Sequence, residues 1–150
     1  MSTGSAIAVA VTFVWLGMVM AISFLEAPLK FRAPGITIPL GLGIGRLVFR
    51  ALNTVEVLMA VVVGFAMLTD PPNATATVAL LVAILVLVAQ VVGVRPQLTR
   101  RSDAVLARRS DGVATGFDEP RSHAHYVYVG LELVKVIALL VGGIAMLASV

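Results

Sequence analysis

The chain contains no cysteine, which removes disulfides, thiolate metal sites and cysteine nucleophiles together. Charge is scarce: Asp, Glu, Lys and Arg make up 13% of the 150 residues, against 59% hydrophobic residues and a mean hydropathy of +1.03. An ordinary soluble domain carries about 25% charged residues, so that class is excluded. Aromatic residues are also few, at 6%, and a nucleic-acid surface needs aromatics interleaved with a basic patch. Segments of alternating hydrophobicity, the mark of a transmembrane β-barrel, do not occur.

Four long apolar runs are present instead, at about residues 5–30, 46–68, 75–94 and 125–150. Each approaches or exceeds the ~20 residues that cross a hydrocarbon core as helix. The expected fold is an all-α, single-domain bundle of four transmembrane helices. The first run lacks a basic leader, holds Trp15 in its middle and ends in Glu26 and Lys30, which predicts a retained span and not a cleaved signal.

Orientation follows from the basic residues. Lys30, Arg32, Arg46, Arg50, Arg95, Arg100, Arg101, Arg108, Arg109 and Arg121 all lie at or between the ends of runs one and two or runs three and four. The remaining connection, centred on Asp70, Pro71, Pro72 and Asn73, has none. The positive-inside rule then predicts cytoplasmic loops at 31–45 and 95–124, both termini outside, and a bacterial-type inner membrane. The high pI is thereby explained by topology and by contact with anionic lipid headgroups, with no nucleic-acid partner.

The two basic loops differ. Residues 31–45 are too broken by Pro and Gly to span and too apolar for free solution, which predicts a segment lying in the interface or dipping into the bundle. Gly41, Gly43 and Gly45 either let helices approach closely or offer backbone N–H groups to an anion. The second loop carries a near-repeat, Arg100-Arg101-Ser102-Asp103-Ala104-Val105 and Arg108-Arg109-Ser110-Asp111-Gly112-Val113, with a period close to two turns of an interfacial helix.

Ionisable residues recur inside the runs. Arg46, Arg50, Asn53 and Glu56 fall within an arc of about 120° on the second helix, and His125, Tyr128, Glu132 and Lys135 within about 80° on the fourth. The two helices run parallel, so their stripes form a ladder. Its expected rungs are Glu56 with Lys135 and Arg50 with Glu132, with Gln90 and the Glu26/Lys30 pair closing the cluster. Central charges cost roughly 2.5–3.5 kcal/mol each on insertion scales, so they pair or line a functional cavity.

Three uses fit this pattern. One is an internal polar clamp that sets helix registry. Another is a cavity for an ion, a proton or a small polar ligand, with binding or permeation as the function. A third is a metal or redox site assembled from Glu26, Glu56, His123, His125 and Glu132, although the Glu-x-x-His spacing of di-metal bundles is missing. Trp15, Tyr126 and Tyr128 read as packing or headgroup anchors. No catalytic nucleophile with its base can be assigned, which favours binding over catalysis, and no cofactor is identified.

Trp15-Leu16-Gly17-Met18, Ser23-Phe24-Leu25-Glu26-Ala27-Pro28-Leu29-Lys30-Phe31, Gly45-Arg46-Leu47-Val48-Phe49 and the span from His125 to Lys135 together resemble the transmembrane protein 205-like family of small four-span proteins. That resemblance implies topology and no specific activity. Arg50-Ala51, Asn53 and Glu56 are similar to the glutathione-binding series of the membrane-associated eicosanoid and glutathione metabolism enzymes. Here the Asn and Glu each fall one residue early, a rotation of about 100°. That second resemblance implies an alternative, a membrane-embedded transferase acting on a lipophilic substrate. A wall of four short helices is thin for a pore, so a homo-oligomer or a membrane-protein partner is expected, with Gly142, Gly143, Ala145 and Ala148 as a close-contact face; a purely structural scaffold subunit is the remaining possibility.

Overall fold

A computed structural model describes residues 2–94, 96, 100, 103–104, 107 and 123–149, with backbone only at 94 and 123–125. All elements among them are helical, and four helices are long and apolar enough to cross a membrane: Thr3–Arg32, Ile38–Thr69, Ala74–Gly93 and Tyr126–Ala148. Large apolar side chains face outward along them, with Leu68 83% and Phe65 68% exposed. Such a surface suits lipid, where no hydrophobic force drives those residues inward.

Helix α1 (Thr3–Val19) is capped by Ser2, whose hydroxyl accepts from the Ser5 N–H at 3.0 Å. It continues through a π-helical stretch, Met20–Glu26, a turn at Ala27–Leu29 and a 3₁₀ turn at Lys30–Arg32. Pro28 explains the widening, because its ring displaces the carbonyl four residues back and it supplies no N–H. The Ala27 N–H accordingly reaches the carbonyl of Ile22, five residues back.

Gly35, at φ +80°, turns the chain into helix α2 (Ile38–Thr69). Thr37 caps this helix and Pro39 occupies its first turn, where a missing N–H costs nothing. The segment expected to be an irregular interfacial loop up to residue 45 is therefore helical from Ile38. Two of its glycines serve close approach, a Cβ on Gly41 lying 2.4 Å from the Phe31 ring and one on Gly45 2.7 Å from Lys30 Nζ, whereas Gly43 meets nothing within 4 Å. The N–H of Gly41 is spent on the Thr37 carbonyl at 2.9 Å, which removes it as an anion donor.

Asp70, Pro71 and Pro72 end α2, and Asn73 caps helix α3 (Ala74–Ala89), accepting from the Ala76 N–H at 2.9 Å. A second π-helical stretch, Gln90–Val94, precedes Pro96, repeating the proline effect seen in the first span. Of the loop between α3 and helix α4 (His123–Ala148), Pro96, Arg100, Asp103, Ala104 and Ala107 are described and helical; the second copy of its near-repeat lies outside the described residues.

Helix α1 packs against both α2 and α4, and α3 packs mainly against α4. Trp15, Val19, Val63, Leu80, Leu87, Leu139 and Met146 form the buried core. Gly142 and Gly143 are spent inside this packing, because a Cβ there would stand 3.0 Å from Leu80 and 2.9 Å from Phe13 respectively. The expectation that these two glycines face a second copy is corrected: they seat α4 against α3 and α1. At one end of the bundle Asp70 accepts from the hydroxyls of Ser2 and Ser5, and the Asn73 side chain donates to the Ala145 carbonyl at 2.8 Å. Both ends of the chain thus lie beside the α2–α3 connection.

Candidate functional site: a buried ionic network

Lys135 is the centre of the interior. Its ammonium lies 2.6 Å from Glu56 Oε1, donates to Gln90 Oε1 at 2.8 Å and to Glu132 Oε1 at 3.3 Å, and stands 3.3 Å from Glu132 Oε2. A lysine has three donors, and all three are engaged. Trp15 completes the group by donating its indole N–H to Glu56 Oε1 at 3.0 Å. None of these five residues is more than 2% exposed.

Each side chain arrives by a local rule. Glu132 and Lys135 are three residues apart on α4 and therefore share a face. Glu56 meets them from α2, and Gln90 opens the π-helical stretch after α3. Trp15 reaches Glu56 because α1 and α2 are antiparallel and joined at Asp70. Measured from the Ser2–Asp70 contact, the two residues lie at the same depth to within one residue. Every span thus contributes at least one group to one network.

The network is saturated around the ammonium and unsaturated around its acceptors. Glu56 Oε2, Gln90 Nε2 and the Thr12 hydroxyl are buried without a hydrogen-bond partner, and Glu132 Oε2 has only its charge contact. The Gln90 amide can point only one way, since turning its NH₂ group toward an ammonium would be repulsive. Two carboxyls face one ammonium, so full ionisation would leave one negative charge in a fully buried place, a state that costs several kcal/mol.

The expected Glu56–Lys135 rung is present, and Gln90 closes the cluster as anticipated. The Arg50–Glu132 rung is not: Glu132 is held by Lys135 one turn along its own helix, and Arg50 is exposed. Asn53, between Arg50 and Glu56 on the same arc of α2, is buried with Glu56. Glu26 pairs with Lys30 at 3.5 Å in a second, more superficial layer. There Lys30 Nζ lies 5.5 Å and 5.4 Å from the centroids of the Phe31 and Phe49 rings, within cation–π range. Phe49 in turn meets the Tyr128 ring edge-on at 5.9 Å. Arg46 reaches Asp103 of the long loop at 2.7 Å.

Among the described residues no three His, Asp or Glu side chains converge to hold a metal. The His123 and His125 side chains lie outside the described residues. Glu56 and Glu132 do converge, but on an ammonium. The residue that sequence reasoning missed is Trp15, taken as a packing or headgroup anchor. Its signal was an indole N–H in mid-span, a donor that must find an acceptor when buried.

An open cavity of about 370 Å³ lies elsewhere, at the terminal end, lined by Ser5, Met67, Asp70, Asn73 and Met146 among others. Asp70 there is held below the usual carboxylate range, first by the Ser2 hydroxyl and then by that of Ser5. No family model matches the chain, and the curated proteins and the solved structures likewise yield no match.

Proposed function

We propose that the protein is a multi-pass ion-binding protein of a bacterial-type inner membrane, with its basic loops cytoplasmic and both termini outside. The observation that carries this reading is the charge count among the described residues: Glu56 and Glu132 against Lys135 alone, at 0–2% exposure. A site one positive charge short in hydrocarbon attracts a small cation, and ionisable groups inside membrane spans mark substrate and ion pathways. Arg46, Lys30 and Glu26 support an entrance on the side of the basic loops. Permeation through so thin a bundle calls for an oligomer, whose absence in native-membrane cross-linking would leave binding without passage.

The test is cation flux into vesicles containing the purified protein, assayed for H⁺, Na⁺ and K⁺ separately. Wild type should exceed protein-free vesicles for one of them, and Glu56→Gln with Lys135→Met should fold and lose that flux. Orientation is checked with single cysteines in a chain that has none. Ser149→Cys should react with an impermeant maleimide on intact cells, and Ala104→Cys only after permeabilisation; the reverse pattern inverts the topology.

A second reading is a structural clamp, favoured by the way Trp15, Glu56, Gln90 and Lys135 bring one partner from each helix. In that case wild type carries no flux, and the same double change destabilises less than Lys135→Met alone.

A further inference from the structure

We infer that the ion held by the Glu56–Lys135–Glu132 network is a proton, bound on the carboxyl pair. The inference rests on the reading of this network as an ion site and adds the identity of the ion. A metal cation would need the space between the two carboxyls, and that space is held by Lys135 Nζ at 2.6 Å from one and 3.3 Å from the other. It would also need several oxygen ligands, as hard cations do. Glu56 Oε1 is already committed to Lys135 and Trp15, and Gln90 Oε1 to Lys135. The Gln90 group left over is an NH₂, which repels a cation.

A proton needs neither space nor a ligand shell. Glu56 Oε2 and Glu132 Oε2 each lack a hydrogen-bond partner, so either can take one while Oε1 of the same carboxyl keeps its contact to the ammonium. With it, the network holds one carboxylate, one carboxylic acid and one ammonium, and is neutral. Loss of the proton leaves one negative charge in the same place. The groups reaching the pair from the other elements are Trp15 of α1 and Gln90 of the second π-helical stretch, both uncharged. Of the further ions along the spans, Arg50 of α2 is exposed and therefore turned away from the pair, while Lys30 is engaged with Glu26 and Arg46 with Asp103 in the superficial layer. One proton is therefore what brings this interior to zero charge.

Infrared spectroscopy of the protein in vesicles at neutral pH tests this directly. The carbonyl stretch of a protonated carboxyl should be present, shift in D₂O, and disappear in Glu132→Gln or Glu56→Gln, either of which makes the network neutral without a proton. A wild-type spectrum with no such band overturns the inference, and needs no variant to fold. A hydrophobic carbodiimide, which reacts with protonated carboxyls, should label Glu56 or Glu132 in wild type; mass spectrometry that finds neither labelled also overturns it. The flux assay separates the two levels. Na⁺ or K⁺ movement without the carboxyl band sinks the proton and leaves an ion site, whereas neither band nor flux sinks both.

Discussion

At the scale of single residues, Lys135 matters most, because one ammonium satisfies two carboxyls and an amide. Lys135→Met should destabilise by about 3–5 kcal/mol, since it strands buried partners, and adding Glu56→Gln should recover only the part owed to Glu56, because Glu132 still lacks its base. Thermal unfolding in mild detergent checks both; a single change as harmless as the double would show that the network is not coupled. Trp15→Phe keeps the ring and removes the N–H to Glu56, which should cost about 1.5–3 kcal/mol as a hydrogen bond to a charged group. A tryptophan that merely packs would lose far less. The acids and Lys135 were legible in the sequence as charges where charge is costly. Which acid faces which base was not. Arg50 and Glu132 share a depth on a parallel ladder, but Lys135 is only three residues from Glu132 and reaches it without any help from tertiary packing.

At the scale of elements, prolines and glycines set the packing. Pro28 and Pro96 each follow a π-helical stretch, and the second of these begins with Gln90, so the local widening belongs to the element that delivers an amide to Lys135. Gly142 is closed in by Leu80, itself fully buried. Gly142→Ala should therefore cost about 1–3 kcal/mol by overpacking. Gly130→Ala on the same helix meets nothing within 4 Å and should gain about 0.5–1 kcal/mol instead, because alanine loses less entropy than glycine in a helix interior. Equal effects at the two sites would contradict the packing of α4 against α3. The start of α2 at Ile38 was hidden in the sequence because glycine and proline usually break helices. Here Thr37 and Pro39 form a helix start, and Gly41 and Gly45 are kept for contact with Phe31 and Lys30.

At the scale of the whole molecule, the two ends of the bundle have different chemistry. One end is tied by Asp70 to Ser2 and Ser5 and by Asn73 to the last turns of α4. Because the folded Asp70 carboxyl titrates below its unfolded value, its contribution is full above the ordinary carboxylate pKa of about 3.9 and is lost as pH falls through the lower folded value. The unfolding midpoint of wild type should accordingly drop with acid below about pH 4 more steeply than that of Asp70→Asn. Parallel curves would mean that the tie contributes nothing. The other end carries the Lys30 and Arg46 layer, where Asp103 pairs with Arg46.

The sequence by itself determined that the chain is helical, that it carries four segments long and apolar enough to cross a membrane, and that its interior is charged. Those properties follow from composition, run length and the cost of charge in hydrocarbon, none of which depends on how the helices are arranged. Only the tertiary structure decided that Trp15 joins the network, that Glu132 pairs along its own helix, and that Gly142 and Gly143 face inward. Each of those outcomes depends on which helices touch and how far each is rotated. A sequence sets the stripe on a helix, but the neighbour that meets the stripe is chosen by the packing of all four.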